Sequence, residues 1–585
     1  MMKRFRSSFG IMIALLASML FLSSCSASDL PLWPNARGWS RAPRIAVNAI
    51  GDPVPMTLDA EGHLYFLLVD VQEDRLVPRV LGMNREGETV LDVSLSTTLT
   101  QPNTPAIVWD GELLQLFWIS NQMLYQTAMT VSGEVSQGPV VISADIKTGD
   151  FDVALSPHGD LAVWFSGPRR EAGVYAANLE DGSVLALDNL GTRPQLAYGQ
   201  DNTLHAIWAH YPPGLEESGI YYGAYPEGAV SPGQETRIVE LGLGISNLLE
   251  GPQLGLSSDT VYVFWTERIM TGMQSGSVRS TYLDFPAGQP DQVGDEVLLR
   301  APQAYELPYE VWTRGSIEAG DRFALDQPGF SRTGAITAMM PSISSSSEIA
   351  VAFNVKADYL RRKSEIQIGL LFLDPVPTSY QLVSFTATGS QSAFLFQDGG
   401  ELYLTWLEKT NRATYEVYFS STAEDISTVF NAVESSDVWA IVGQSLFGLL
   451  SGMLLLPMGL IWFVFPILVV AAGSFLRGDS SNFWSPLSMI NLLLAMGAYW
   501  ASKLMILPGI RTYVPFSAWI PVVPAAWRLP LQIGVPAFIT LLAIVSAYQF
   551  TRHREQQSLL FFMLIYGAID TILTLGVYGV LIYGG

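Results

Sequence analysis

The sequence holds a single cysteine, Cys25, among 585 residues. No intramolecular disulfide can form, so any exported domain must be held by packing alone. Histidine is almost as scarce, with His63, His158, His205, His210 and His553 as the full set. Five scattered histidines and one cysteine cannot supply a strong zinc site by spacing. The closest pair, His205 and His210, is five apart. An odd spacing on a strand sends the two rings to opposite faces, and both are expected at the surface. The sequence also lacks a phosphate-binding Gly-Lys loop, a dinucleotide fingerprint, a His-Glu-x-x-His helix and a Gly-x-Ser-x-Gly elbow. No cofactor and no metal are expected.

Basic residues are few through most of the chain. Between residues 26 and 437, 51 acidic residues face 23 basic ones, a net charge near −28. Nucleic acid, whose binding needs clustered Lys and Arg, is excluded as a partner. Anionic headgroups and anionic glycans are repelled by the same field unless a local basic pocket reverses it. A solvated surface is the plain reading of that charge, and a cation or cationic partner is the other.

The N-terminus reads as a targeting device. Lys3, Arg4 and Arg6 precede an uncharged, mostly apolar run of twelve residues, Ile11 to Leu22. That is short for a bilayer crossing, which takes about 20 residues, and suits a signal-peptide core. Leu22-Ser23-Ser24-Cys25 follows, and it resembles the lipobox of bacterial lipoprotein signals. The resemblance implies cleavage before Cys25 and lipidation of that residue, with the acidic domain outside the cytoplasm.

The middle of the chain repeats. A short apolar strand, an Asp/Gly/Ser turn and a strand ending in an aromatic recur seven times. The phrase runs from Ile107 to Trp118, Val153 to Trp164, Pro194 to Trp208, Pro252 to Trp265 and Ala393 to Trp406, with a looser copy ending at Phe353. An earlier, degenerate copy is Asp59 to Leu68. Trp118, Trp164, Trp208 and Trp265 are 46, 44 and 57 residues apart. A third strand usually follows, as at Val174–Ala177 or Tyr415–Tyr418. Three or four short strands in each such period make a β-propeller blade. A lone blade cannot bury both faces, so blades must stack, and a closed ring leaves no large exposed edge. Seven blades are favoured, with six or eight open. The stretch Arg44 to Ala49 is a candidate for a strand that closes the ring.

The turn-then-Trp phrase resembles the sialidase-like and bacterial-neuraminidase-repeat propellers over about Pro53 to Ser420. The family's Asp box, Ser-x-Asp-x-Gly-x-x-Trp, has no fitting copy here; Ser156-Pro157-His158-Gly159-Asp160 has the residue types in another order. The resemblance therefore implies the fold and no catalytic residues. Trp265 and Phe353 are 88 residues apart, which leaves a diverged blade or a long loop over roughly Gln292 to Met339. That region holds Tyr305, Glu306, Tyr309, Glu310 and Arg314, the residue types a glycosidase of sialidase type would use. Their adjacency in sequence speaks for an ordinary acidic surface, since neighbouring strand residues point to opposite faces.

From Val438 to Phe475 there is no charged residue in 38 positions. One span is expected near Gly452 to Phe475, kinked at Pro457 and Pro466, with a hairpin of two short passes as the alternative. Later spans are expected at Pro486 to Leu507, Leu531 to Phe550 and Leu559 to Tyr583, around an interfacial loop, Pro508 to Pro530, that holds Trp519 and Trp527. Asp570 is the one acidic residue deep in a span, and it needs a partner, a proton or a place inside the bundle. Lys503 and Asn491 are the candidate partners, although Lys503 lies near a helix end where it could snorkel.

The expected architecture is a signal peptide over 1–25, a linker over 26–43, a mainly β propeller ectodomain over 44–434 and an all-α transmembrane bundle of about four helices over 435–585. The expected role is binding or sensing outside the cytoplasm. Membrane lipid is one expected partner; other envelope proteins, or an extracellular glycan or protein ligand, are the others. A surface glycosidase of sialidase type and a docking subunit of an envelope transport or assembly complex are the alternatives.

Overall fold

The computed structural model describes residues 38–432 except 169–170, 211–217, 227–228, 242–246, 271–274, 302–315, 319–330, 360–362, 385, 387 and 411–413. It also describes 435, 439 and 456–578, except 477–484, 508–509, 511–513, 516–524 and 553–557. Two compact units result, one made by Pro31–Tyr359 and Ser364–Ala432, the other containing Val433–Gly585.

The first unit is a seven-bladed β-propeller. Five blades are antiparallel meanders of four consecutive strands, over 56–94, 103–141, 150–188, 191–240 and 247–299. The sixth, over 331–382, gains a fifth strand, Ser316–Glu318, which pairs with Val376–Leu382. The seventh takes its outermost strand from the start of the chain: Arg44–Asn48 runs antiparallel to Tyr415–Ser421. The 88-residue gap is therefore an insertion and not a lost blade. It is narrower than the sequence suggests, because regular strands reach Leu299 on one side and resume at Ser331 on the other.

The repeating phrase has a physical cause. The second strand of each blade is paired on both edges and covered on both faces, so it reads as a continuous apolar run. Leu114–Ser120 is buried along its whole length. Trp118, Trp164, Trp208, Trp265 and Trp406 all lie on such strands and are at most 2% exposed. In three blades the indole stacks on a tyrosine of the next strand, Trp118 on Tyr125, Trp208 on Tyr221 and Trp406 on Tyr418. In six of the blades the turn ahead of the second strand is fixed by a side-chain oxygen that accepts nearby amides. Asp110 Oδ1, for instance, accepts from the amides of Glu112 and Leu113 at 2.9 and 2.8 Å, and Ser156 Oγ from those of His158 and Asp160 at 3.1 and 2.9 Å.

Buried apolar clusters fill the interfaces between successive blades. Trp164 meets Trp208 with ring centres 6.0 Å apart, Tyr222 meets Phe285 at 4.9 Å, and Phe66 of the first blade meets Phe419 of the seventh at 5.6 Å. The seam between last and first blades is secured further by a short helix, α1 (Glu424–Phe430). Its Asp425 accepts from Arg85 of the first blade at 2.5 Å, and its Phe430 packs over Gly87. The segment expected as a linker is built into the propeller from Trp39 onward. Trp39 is 2% exposed and donates to Gln381 at 3.0 Å. Asn431 accepts from the Arg41 amide at 2.8 Å and donates to the Trp39 carbonyl at 3.3 Å, so the two ends of the unit are clamped side by side.

The second unit is helical. After short turns over Leu456–Gly459 and Leu460–Phe463 come α2 (Val464–Phe475), α3 (Pro486–Ile506), α4 (Ala525–Arg552) and α5 (Leu559–Tyr578). Among the described residues, three stretches are long and apolar enough to cross a membrane: Pro486–Ile506, Leu529–Arg552 and Leu559–Tyr578. The expected first span is shorter than that among the described residues, an apolar helix over Ile461–Phe475. Pro466 removes the amide that the Trp462 carbonyl would accept, and a 3₁₀ turn stands there in place of α-helix. The expected interfacial loop is also shorter, since α4 starts at Ala525 and carries Trp527 as an exposed helical residue. Trp519 lies outside the described residues.

Candidate functional site

The N-terminal ends of the inner strands of the second to fifth blades line a cavity of about 360 Å³. β-Bulges aim them there. The inner strands of the second, fourth, fifth and seventh blades shift register near their starts. At these bulges Thr104, Arg193, Gly251 and Ser392 have φ of +47°, +56°, +94° and +54°. Bulges twist a strand and re-direct its side chains, and they often stand next to working surfaces.

Asp150 and Arg193 are the charged side chains lining the cavity among the described residues, with Asn103, Ser166 and Thr192 as polar neighbours. Arg193 is anchored: its Nη1 donates to the carbonyls of Leu249 and Gly251 at 2.5 and 3.2 Å, and its amide donates to Ser166 Oγ at 3.1 Å. Asp152 sits two residues further along the strand of Asp150, and its Oδ2 accepts from the Leu196 amide at 2.7 Å. Asp52 accepts from the Thr104 amide at 3.0 Å. Burial at the converging strands pushes the Asp150 carboxyl up to about 6; the Arg193 charge and the Phe151 amide hold it down, and the Asp52 charge adds to the rise. Burial also leads at Asp152, where the carboxyl reaches about 7 against the Leu196 and Val153 amides, with the Asp150 charge adding to the rise.

The Asp152 shift has a stability consequence. The folded carboxyl holds its proton to higher pH than the ordinary value of 3.8, so the folded state loses stability as pH rises from that value through about 7. Asp152→Asn keeps an acceptor for Leu196 and removes the charge. The variant is expected to melt higher than the parent above neutrality and equally at acid pH, in thermal melts of the two across that range.

The sequence-named residues fall differently. Cys25, Tyr305, Glu306, Tyr309, Glu310 and Arg314 lie outside the described residues. His205 is not a surface residue. It is 2% exposed, its Nδ1 lies 2.7 Å from the Tyr222 hydroxyl, and burial lowers it to about 4. A strand histidine between Leu204 and Ala206 is packed from both sides, and an aromatic partner satisfies its ring. His210 is half-buried, with Nε2 3.8 Å from Asp188. Asp188 also accepts from the Trp208 indole at 2.7 Å. Trp208→Phe leaves that acceptor without its donor and should cost about 1–3 kcal/mol more than the ring change alone. Trp118→Phe should cost less in the same denaturant titrations, because the Trp118 indole N–H has no partner among the described residues.

In the helical unit, Lys503 and Asp570 are brought together. Lys503 Nζ lies 2.6 Å from Asp570 Oδ2 and 2.6 Å from Thr574 Oγ1. The Tyr499 hydroxyl donates to Asp570 Oδ2 at 2.9 Å and lies 2.9 Å from Thr571 Oγ1. Both charged residues are almost wholly buried, at 1% and 0% exposure. Lys503 does not snorkel; the interhelical pair holds it inward. Asn491 is not drawn into this group. It sits on α3 against Gly473 of α2, and its Nδ2 has no partner among the described residues.

No family model matches the sequence, and no curated protein matches it. Solved structures resemble it at low identity. Polysaccharide lyase Uly1 is 9% identical with a TM-score of 0.42, covering 63% of this chain and 89% of that one. An oligogalacturonate lyase from Vibrio parahaemolyticus is 8% identical with a TM-score of 0.34, covering 64% and 98%. A subtype N10 neuraminidase-like protein from a little yellow-shouldered bat isolate is 11% identical with a TM-score of 0.30, covering 56% and 96%. These are likenesses of fold and say nothing of what the cavity takes. By its own sheets and helices, the chain is a seven-bladed β-propeller joined to membrane-type helices.

Proposed function

We propose that this protein is a binding or sensing module, held in a cell membrane with its propeller outside the cytoplasm. The observation that carries the reading is the joining, on one chain, of a closed propeller that holds a partly polar cavity to helices of spanning length, three among the described residues. A cavity of about 360 Å³ is within the range of small-ligand sites. The lipobox-like sequence ending at Cys25 supports export and a lipid anchor, which makes membrane lipid and neighbouring envelope proteins its natural company.

A glycosidase of sialidase type asks for three converging arginines beside a Tyr-Glu pair. Among the described lining residues there is one arginine, Arg193, and its guanidinium is already bonded to backbone carbonyls. No observation favours that reading over binding.

The test is site-specific photocrosslinking in native membranes, with the reactive group placed at Asn103 or Thr192 in the mouth and, as a control, at the exposed Val376 on the sixth blade. An adduct formed from the mouth and absent from the control supports the reading. Adducts from the control alone favour an outer docking face, and no adduct from either mouth position counts against a ligand at the mouth.

A further inference from the structure

We propose that the propeller cavity of about 360 Å³ takes a small zwitterion, an α-amino acid with an apolar side chain, its carboxylate on Arg193 and its ammonium on Asp150. The inference rests on the binding reading and gives that cavity a class of ligand.

Arg193 is the half of the site that receives the carboxylate. Its Nη1 is committed to the carbonyls of Leu249 and Gly251 at 2.5 and 3.2 Å. Nε and Nη2 have no hydrogen-bond partner among the described residues, and the side chain lines the cavity. Those two nitrogens form one edge of the planar guanidinium, and such an edge matches the two oxygens of a carboxylate. The carbonyls of the fifth blade fix the arginine before a ligand arrives, so little side-chain freedom is left to lose on binding.

Asp150 is the other half. Its Oδ1 accepts from the Phe151 amide at 3.1 Å, and Oδ2 has no partner among the described residues. The two side chains come from neighbouring inner strands, Asp150–Leu155 and Gly191–Tyr198, and line one cavity. No ion pair joins them, and Arg193 reaches Asp150 by its charge alone. A pair kept for stability would close, because half-buried charges held apart forgo the attraction that offsets their lost hydration. Here the guanidinium is drawn to the fifth blade, and both charges face a common space. With its carboxyl at about 6, Asp150 is ionised at mildly alkaline pH.

Charge then selects the class. An anion alone would leave Asp150 unmatched and meet the negative field of the whole domain. A cation alone would be repelled by Arg193. A zwitterion answers both groups and carries no net charge. The apolar part of the ligand follows from Leu248, which is 37% exposed and lines the cavity with Pro168 and Ala209. An aliphatic side chain laid there takes apolar surface out of water on both sides.

Isothermal titration of the full chain in detergent tests the class with three probes that share one carbon skeleton. L-Leucine carries both charges, isocaproate lacks the ammonium and isoamylamine lacks the carboxylate. Leucine should bind, and each analogue should bind at least about tenfold more weakly. Asp150→Asn keeps the shape of the site and removes the partner of the ammonium. It should cut the advantage of leucine over isocaproate by about tenfold, whereas a merely structural loss would weaken both alike. The comparison on the parent protein needs no variant and stands if Asp150→Asn does not fold. Leucine that binds no tighter than either analogue overturns the proposal, and so does an advantage that Asp150→Asn leaves unchanged. If leucine fails to bind while crosslinks still form from Asn103 or Thr192, the ligand class falls and the binding reading stands. If both are missing, both fall.

Discussion

A chain shortened to begin after Asn48 is expected to lose the cooperative unfolding of its propeller. The deletion takes away the strand Arg44–Asn48, whose register runs from Arg44 opposite Tyr418 to Asn48 opposite Tyr415. It also removes a network of buried hydroxyls, in which Ser40 Oγ receives the Ser421 amide at 3.0 Å and Ser420 Oγ donates to the Ser40 carbonyl at 2.8 Å. Trp39 goes with them, and large-to-small loss of one buried indole alone costs about 3–5 kcal/mol. Total stability for a domain is about 5–15 kcal/mol, so the combined loss is comparable to the whole. With its seventh blade short of an outer strand, the ring keeps an unpaired edge at Tyr415–Ser421, a template for aggregation. Thermal melts and limited proteolysis should show a broad transition and early cutting in the last blade. A sharp transition at the parent's temperature would mean that closure rests on α1 and the apolar seam alone.

Lys503→Met should be the most damaging single change in the helical unit. It leaves the buried Asp570 carboxyl beside Tyr499 and Thr574 without its cationic partner, and breaking one side of a buried pair costs about 3–5 kcal/mol. The double variant Lys503→Met with Asp570→Leu removes both charges and should recover most of that loss, because apolar packing of similar volume often matches a buried ion pair. The measurement is the yield of folded protein from membranes together with its melting temperature in detergent. If the double variant fared as badly as the single one, the loss would come from packing around Trp462 and Trp500 and not from an orphaned charge.

Much of the propeller was legible because its period is written in residues that must be buried. A strand central to its blade leaves no room for a charge, and a turn that must close in a few residues favours Asp, Ser and Gly. The two constraints together produce the phrase that ends at Trp118, Trp164, Trp208, Trp265 and Trp406. Ring closure was legible only as a candidate, with Arg44 to Ala49 as its closing strand, and Arg44–Asn48 does pair with Tyr415–Ser421. The site was much less so. Asp150 and Asp152, on a strand of regular register, come near Arg193 because the next inner strand is bulged, and the residue types of Thr104, Arg193 and Ser392 do not themselves announce a positive φ. A proline following Thr104, Arg193 and Gly251 was the available clue. His205 was misjudged because an alternation rule says which face a ring takes and not whether that face is covered. On the helices, Asp570 and Lys503 stood out as charges where none belong. In the first expected span, Pro466 removes the amide that the carbonyl of Trp462, four residues back, would accept, and a 3₁₀ turn stands where a kinked α-helix was expected.

The account turns on the propeller being outside the membrane that its helices enter. Val376→Cys places a thiol at the exposed start of the strand Val376–Leu382 of the sixth blade, and a membrane-impermeant maleimide applied to intact cells reads its side directly, with the parent protein as control for Cys25. The account predicts labelling of the variant without permeabilisation, at the level reached in lysed cells. Labelling that appears only after lysis would place the propeller in the cytoplasm and contradict it.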